Sequence, residues 1–158
     1  MSEPVERTSH TSDRIVLLLS GPNLDLLGTR EPEVYGHETL DDHVAAARAA
    51  ADAAGLALEH RQSNHEGDLV EAVHAARGTC AAIVINPAAF THYAWALHDA
   101  LAAFPGPVVE VHLSNPQRRE PWRHTSVVAP VATGTIAGLG GHGYVLAIEA
   151  VAALLASS

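Results

Sequence analysis

The chain has 158 residues, a formal net charge of −9 and 47% hydrophobic residues, a composition typical of one globular domain. The excess of acids argues against a nucleic-acid-binding surface, and no apolar run is long enough to cross a membrane, so we expect neither as a partner. The chain contains no lysine, which excludes an imine formed by a side-chain amine. A single cysteine, Cys80, excludes a disulfide scaffold and favours the cytoplasm.

Strand and helix patterns alternate along the chain. Residues 1–13 lack the apolar segment of a signal peptide and are predicted to be a disordered tail, and residues 14–158 to be a single domain. Apolar runs predict the strands, except over residues 56–62, where alternation of apolar and polar residues is typical of a half-buried or edge strand; amphipathic runs predict helices. The predicted strands cover residues 14–20, 56–62, 81–86 and 107–113, with a short final strand within 125–134; the predicted helices cover 39–55, 67–78, 93–104 and 143–156.

Continuous apolar strands that alternate with helices are typical of a parallel sheet covered on both faces. We therefore predict an α/β fold, a flavodoxin-like three-layer sandwich with a five-stranded parallel sheet. Ligands of such sheets bind beyond the carboxyl ends of the strands. The prediction directs attention to the residues that follow each strand.

Polar side chains follow four of the predicted strands. Asn23 follows the first strand, Asn64 the second, Asn86 and His92 the third, and Ser114 the fourth. Parallel geometry brings all these ends to one rim. Turn chemistry alone explains any single asparagine, since Asn-Pro and Ser-Asn pairs are common in loops. Four polar strand ends together favour a binding site.

Two ionisable residues, Glu110 and His112, lie within the fourth predicted strand. They have the same parity, so both side chains point to one face of the sheet. A buried glutamate needs a partner. Two interpretations are open: a satisfied core pair, or a carboxylate that orients a catalytic imidazole.

The 11 histidines are scattered, without a motif of metal-ligand spacing, so no metal site is predicted. The segment "GTIAGLGGHG" (134–143) is similar to a nucleotide-binding glycine loop, but it comes late in the chain, and a role in backbone packing is favoured. The first loop lacks the Ser/Thr cluster of a flavin phosphate site. No cofactor is expected.

The loop over residues 22–37 is much longer than a chain reversal requires. It carries Arg30 and Tyr35, although the chain has only three tyrosines. Glycine, proline and asparagine explain how this loop turns, but they do not explain an arginine and a phenol.

Six blocks of the sequence resemble type II 3-dehydroquinate dehydratase. They are "GPNLDLLGTREPEVYG", "RQSNHEGDLVEAVHAA", "INPAAFTH", "VEVHLSN", "RREPWRH" and "PVATGTIAGLGGHGY", in the family's order and at matching separations. The resemblance begins at residue 14 and covers nearly all of the remaining chain. It implies that residues 14–158 are a catalytic domain with a lid loop over 22–37. The implied activity is anti elimination of water from 3-dehydroquinate through an enolate, without a metal or an imine.

The resemblance also implies catalytic roles. Tyr35 matches the base that removes the C2 proton. A phenol is almost fully protonated at neutral pH, so a neighbouring cation must favour its ionised form, and we expect Arg30 to be that cation. His112 matches the acid that protonates the departing hydroxyl, and Glu110 matches the residue that positions it. Asn23 matches the residue that holds a water against the enolate oxygen.

Further residues match the family's substrate-binding positions. Arg119 matches another basic position near the lid, and Asp99 a residue that reaches the site of a neighbouring subunit. The family assembles as a dodecamer built from trimers, which implies a homo-oligomer here. The positions implied to bind substrate are Asn86, His92, Asp99, Leu113, Ser114 and Arg123.

Two segments depart from the family pattern. Pro116-Gln117 replaces the usual aliphatic residue and histidine, and Thr125-Ser126-Val127 replaces a common His-Ser-Tyr run; both bear on packing around Arg119 and Arg123. The alternative to an enzyme is a non-catalytic flavodoxin-like binding or regulatory domain. A response regulator of that fold needs paired acids after the first strand and a lysine near the last, and this sequence has neither.

Overall fold

The computed structural model of the chain describes residues 12–158. The predicted tail over residues 1–13 lies outside the described residues except for Ser12 and Asp13, which belong to a 3₁₀ turn, Ser12–Arg14. The strands are β1 (Ile15–Ser20), β2 (Ala57–Gln62), β3 (Ala82–Asn86), β4 (Val108–His112) and β5 (Gly134–Ala137). The α-helices are α1 (Pro32–Tyr35), α2 (Leu40–Ala53), α3 (Glu66–Ala76), α4 (Trp95–Ala102) and α5 (His142–Ala156).

The five strands form one parallel sheet in the order β2-β1-β3-β4-β5, which confirms the predicted flavodoxin-like fold. Alternate side chains of each strand enter opposite layers. Val16 and Leu18 pack with α2 and α5, whereas Leu17 and Leu19 pack with α3 and α4. The two apolar clusters explain why the central strands are apolar on both faces.

Local sequence signals fix the position of α2 in the chain. Thr39 and Asp42 form a capping box, in which the Thr39 hydroxyl accepts from the Asp42 amide at 3.2 Å and the Asp42 carboxylate accepts from the Thr39 amide at 2.9 Å. Gly55 follows the helix with a positive φ of 74°. These signals anchor the chain directly after the loop over residues 22–37, since α2 begins at Leu40.

The last strand lies later in the chain than predicted. The sequence predicts it within residues 125–134, but that segment contains a 3₁₀ turn, Ala129–Val131, and β5 begins at Gly134. The Ser126 hydroxyl accepts from the amides of Val128 at 3.2 Å and Ala129 at 2.9 Å, and Pro130 has no amide hydrogen to give to a ladder. The apolar Val127 and Val128 are buried without forming a strand.

The glycine-rich segment after β5 serves backbone packing, as predicted. A Cβ placed on Gly141 would lie 2.1 Å from Cε1 of His43, so the α2 imidazole fits only against a glycine. Gly138 has a positive φ of 85° and lies against Asn115. Within residues 12–158, no helix is both long enough and apolar enough to span a membrane.

Candidate active site

A cavity of about 180 Å³ lies at the carboxyl ends of β1, β3 and β4, beneath the lid. Parallel geometry places it there, because every strand ends at the same rim. Nine of the eleven predicted site residues line this cavity: Asn23, Arg30, Tyr35, Asn86, His92, His112, Leu113, Ser114 and Arg123. Glu110 is fully buried beneath His112. Asp99 lies outside the cavity, with 84% of its side chain exposed on α4.

Three arginines line the cavity, Arg30, Arg119 and Arg123, and no aspartate or glutamate does so within residues 12–158. Glu31 and Glu120, which pair with Arg30 and Arg123, lie outside the lining. Guanidinium groups bind carboxylates with two parallel hydrogen bonds. The site therefore suits a small anionic ligand that carries a carboxylate.

The lid places Tyr35 between two arginines. Nη1 of Arg119 donates to the Tyr35 hydroxyl at 2.8 Å and to the Ser114 hydroxyl at 3.2 Å. The guanidinium of Arg30 lies 5.2 Å from the centre of the Tyr35 ring and pairs with the Glu31 carboxylate at 3.4 Å. The sequence predicts Arg30 as the nearby cation that favours the ionised phenol. Arg30 does lie near the ring, and the hydrogen bond to the phenol oxygen comes from a second arginine, Arg119.

His112 and Glu110 form a buried pair on one face of β4, as their parity predicted. Nε2 of His112 lies 2.6 Å from Oε2 of Glu110, whose side chain is 0% exposed. A carboxylate is an acceptor, so Nε2 carries the proton and Nδ1 is left for the cavity. Burial opposes ionisation of Glu110, but the hydrogen bonds from His112, Thr91 and Ser126 outweigh it, and the pKa of Glu110 lies below its ordinary value.

Asn86 is held at both ends of its side-chain amide. Its Oδ1 accepts from the amide of Ala88 at 3.1 Å, and its Nδ2 donates to the buried Tyr144 hydroxyl at 2.9 Å. Because a backbone amide can only donate, the orientation of the Asn86 amide is fixed. Burial raises the pKa of Tyr144 to about 12, so this phenol stays neutral. Asn86 retains one N–H for a ligand.

His92 and Arg123 face the cavity from the 3₁₀ turns Ala88–His92 and Pro121–His124. Nδ1 of His92 lies 2.7 Å from the carbonyl of Thr125, so it carries the proton and Nε2 is the acceptor. Burial lowers the pKa of His92, which favours this neutral form. The Arg123 guanidinium stacks 4.0 Å above the Trp122 ring and pairs with Glu120 at 2.5 Å.

Asn23 lies where β1 leads into the lid. It has a positive φ of 66°, a conformation that asparagine tolerates better than most residues. Its backbone amide donates to Oδ1 of Asn64, at the end of β2, at 2.9 Å. This contact joins two of the four polar strand ends.

The two departures from the family pattern are accommodated locally. Oδ1 of Asn115 accepts from the Gln117 amide at 3.1 Å, and Pro116 begins a 3₁₀ turn that leads to Arg119. In the second departure, Ser126 binds Glu110. Neither removes Arg119 or Arg123 from the cavity.

Sequence reasoning did not find Thr91, Ser126 or Tyr144 as parts of the site. Each is remote in sequence from the residue it contacts: Thr91 and Ser126 donate to Glu110, 19 and 16 residues away, and Tyr144 accepts from Asn86, 58 residues away. No spacing rule joins such pairs. Within residues 12–158, no group of three histidine, cysteine or acidic side chains is arranged to hold a metal ion.

Comparisons with known proteins support one family. The family model described as dehydroquinase class II matches residues 14–152. The chain is 56% identical over 141 residues to 3-dehydroquinate dehydratase 2 of Pseudomonas putida, covering 89% of this chain and 95% of that protein. It is 53% identical over 137 residues to the catabolic 3-dehydroquinase of Aspergillus clavatus, covering 87% and 91%.

A solved structure is similar over nearly the same length. The type II dehydroquinase of Propionibacterium acnes superposes with a TM-score of 0.86 at 46% identity, covering 92% of this chain and 99% of that one.

The buried carboxylate generates a prediction about stability and pH. We expect Glu110→Gln to lower the free energy of unfolding by about 3–5 kcal/mol at pH 7, because His112, Thr91 and Ser126 lose a charged acceptor. The folded pKa of Glu110 is depressed, so its contribution is present above the unfolded value of about 4.5 and is lost as the pH falls through the folded pKa. The difference in the free energy of unfolding between wild type and Glu110→Gln should therefore become smaller below about pH 4.5.

Urea unfolding between pH 7 and pH 3 measures this gap. Glu120→Gln is the matched control, since Glu120 is an exposed acid paired with Arg123, and its removal should change stability little. A gap between wild type and Glu110→Gln that stays constant over this range would contradict the prediction.

Proposed function

Since the chain belongs to the class II dehydroquinase family, a family of hydro-lyases, we propose that it dehydrates 3-dehydroquinate to 3-dehydroshikimate. The observation that carries this proposal is the arrangement of two proton-transfer groups on one arginine-lined cavity: Tyr35 with Arg119, and His112 with Glu110. A carboxylate-bearing substrate matches the charge of the cavity. The reaction belongs to the shikimate pathway of aromatic amino acid biosynthesis, or to the breakdown of quinate.

In the proposed first step, the ionised oxygen of Tyr35 removes the C2 proton of the substrate. The electron pair of the C–H bond moves toward the neighbouring carbonyl and gives an enolate. The hydrogen bond from Arg119 and the positive charge of Arg30 favour the ionised phenol. Asn23 holds a water against the enolate oxygen. The lid excludes bulk water from the reacting groups.

In the proposed second step, the enolate collapses and the C1–O bond breaks. The departing hydroxyl takes a proton from Nδ1 of His112 and leaves as water, while the C1–C2 double bond forms. Glu110 supports the imidazolium before this transfer, because its carboxylate accepts from Nε2 at 2.6 Å. Base and acid act on opposite faces, which is anti elimination. No step requires a metal, a cofactor or an amine.

The remaining polar groups bind the substrate in this proposal. Arg123 and the Asn86 N–H bind the carboxylate and hydroxyl groups, and Nε2 of His92 accepts from a hydroxyl. The backbone of Leu113 and the hydroxyl of Ser114 complete the binding of the ring substituents.

A turnover assay with Tyr35→Phe tests the proposal. Incubation of wild type with 3-dehydroquinate should produce the ultraviolet absorbance of a conjugated enone. The substitution removes one oxygen from the lid, so we expect kcat to fall by at least ~10²–10⁴-fold, the effect of losing a general base, with the substrate Kd little changed. Tyr93→Phe is the matched control, because Tyr93 is 59% exposed and does not line the cavity.

Wild type without turnover would instead favour the non-catalytic binding domain. Turnover by Tyr35→Phe at the wild-type rate would assign the base to another residue.

The two arginines beside Tyr35 should differ in effect. Arg119 donates directly to the phenol oxygen, whereas Arg30 lies over the ring. A hydrogen bond to a charged group contributes about 1.5–3 kcal/mol, so Arg119→Ala should move the acid limb of the kcat–pH profile up by about 1–2 pH units. Arg30→Ala should move it less. Arg119→Lys should restore part of the effect, since it keeps the charge but loses the planar fork.

The pH profiles of the three variants and wild type measure the limbs directly. If the acid limb moves further in Arg30→Ala than in Arg119→Ala, Arg30 is the arginine that contributes more to favouring the ionised phenol. If the acid limb of the kcat–pH profile moves in neither Arg30→Ala nor Arg119→Ala, the two arginines serve only as contacts that hold the lid.

We further propose a homo-oligomer, a dodecamer of trimers, in which Asp99 completes the site of a neighbouring subunit. In support, Asp99 does not line the cavity of its own subunit and follows closely in sequence two exposed aromatic residues, Tyr93 at 59% and Trp95 at 62% exposure. Aromatic residues are enriched in subunit interfaces.

Subunit mixing tests this assembly. Asp99→Ala and Tyr35→Phe should each be impaired as pure proteins. When the two are refolded together, part of the activity should return, because some sites combine an intact Tyr35 with an intact Asp99 from the neighbour. Light scattering on the same samples gives the assembly state. Absence of recovery in mixed oligomers, or an active monomer, would contradict the proposal.

A further inference from the structure

Two hydroxyl groups close around the buried carboxylate of Glu110. Oγ1 of Thr91 donates to Oε2, and Oγ of Ser126 lies 3.1 Å from both carboxylate oxygens. Thr91 is 1% exposed, and Ser126 is partly buried. With Nε2 of His112, three donors therefore converge on one carboxylate from three different chain segments.

The hydrogen bonds around Ser126 limit the partners to which its hydroxyl can donate. Its oxygen accepts from the amides of Val128 and Ala129, so its lone pairs are used. The single hydroxyl hydrogen is left to donate, either to Glu110 or to Thr91, whose Oγ1 is 2.7 Å away. In the first case Ser126 donates to the carboxylate itself; in the second it donates to Thr91, whose own hydroxyl donates to Oε2 of Glu110.

A backbone hydrogen bond holds the segments that carry the two hydroxyls next to each other. The amide of Val127 donates to the carbonyl of Thr91 at 2.7 Å, and this bond joins the turn that carries His92 to the segment after Arg123. Both segments lie against β4 through Glu110. The two hydroxyls thus belong to a rigid frame with little freedom to turn away.

We propose that Thr91 and Ser126 are positioning residues for the acid step, holding Glu110 so that His112 keeps its proton on Nε2 and presents Nδ1 to the substrate. The proposal rests on the function proposed above. With the hydroxyls in place, both carboxylate oxygens are held by donors, and Oε2 is kept against Nε2 of the imidazole. Without them, the carboxylate is free to rotate, and its ionised form loses two donors in a buried setting.

The direction of the pKa of Glu110 agrees with this role. Burial alone would raise it, yet hydrogen bonds from His112, Thr91 and Ser126 lower it below the ordinary value. The ionisable groups that face Glu110 are His112 on its own strand and His92 on the neighbouring turn. A substitution at Thr91 or Ser126 therefore removes a hydroxyl from Glu110 without removing either of these ionisable groups.

Four variants distinguish the effect of losing a hydroxyl donor from the effect of changing the shape of the side chain. Ser126→Ala and Thr91→Val remove a donor, whereas Ser126→Thr and Thr91→Ser keep it. We expect each of the first two to lower kcat by about 10- to 100-fold, the effect of one hydrogen bond to a charged group, with KM within about threefold. The conservative variants should recover most of kcat. Thr79→Val is the matched control, because Thr79 donates to Ala75 at the end of α3, away from the cavity.

Carboxyl ¹³C titration of Glu110 in the full-length protein supplies a readout that does not depend on turnover. In Ser126→Ala and Thr91→Val the Glu110 resonance, assigned with Glu110→Gln, should titrate at higher pH than in wild type. Glu120 is the internal control, since its pKa is lowered mainly by Arg123 and should not move. Nitrogen NMR of the His112 ring reports which nitrogen carries the proton.

The outcomes distinguish the two proposals. An unmoved Glu110 titration, or a full kcat in Ser126→Ala and Thr91→Val, would overturn the positioning role while the dehydratase activity stands. A wild type without turnover would overturn the proposed function. The Glu110 titration would still test whether Thr91 and Ser126 hold the carboxylate. Loss of activity in the conservative variants as well would show that packing, and not the hydroxyl, matters at these positions.

Discussion

A single buried charge organises one side of this molecule. Glu110 is 0% exposed and ionised, and an ionised carboxylate away from water is stable only if donors surround it. These donors come from β4, from the 3₁₀ turn after β3 and from the segment before β5. The need to satisfy one carboxylate therefore fixes where these segments meet, and the imidazole of His112 is one of the groups it fixes.

The same rim has a second fixed element on the opposite face of the sheet. Asn86 projects toward α5, where the buried Tyr144 hydroxyl accepts its N–H. Val84, with the same parity, packs in the α2–α5 layer, whereas Val108, with the parity of Glu110, packs in the α3–α4 layer. The cavity is thus built from both faces of the sheet. Its walls are anchored in two separate apolar clusters, which keeps the polar groups in place.

The cationic groups of the cavity are divided between the rim and the loop over residues 22–37. Arg119 and Arg123 are held on short turns next to β4, while Arg30 and Tyr35 lie on the lid. The contact between Arg119 and the Tyr35 hydroxyl crosses from one to the other. The phenol therefore has one cationic neighbour on its own loop, Arg30, and a second on the rim, Arg119.

Much of the fold could be predicted from the sequence, because it depends on local periodicity. Apolar runs gave the positions of β1 to β4, and the alternation of strands with helices gave a parallel sheet with its polar ends on one rim. Parity alone placed Glu110 and His112 on one face. The resemblance to the dehydratase family then supplied the roles of these groups, which no periodicity contains.

Tertiary structure decided the contacts between distant segments. Tyr35 and Arg119 are 84 residues apart, so sequence proximity favoured Arg30, and only the folded arrangement of the chain brings Arg119 to the phenol oxygen. The final strand moved to Gly134–Ala137, because the Ser126 hydroxyl and Pro130 turn the preceding valines away from the ladder. The sequence determines which residues can form strands and which polar groups reach the rim, since those depend on neighbours along the chain. Which donor meets which acceptor depends on packing across the sheet, and that is set only when the chain has folded.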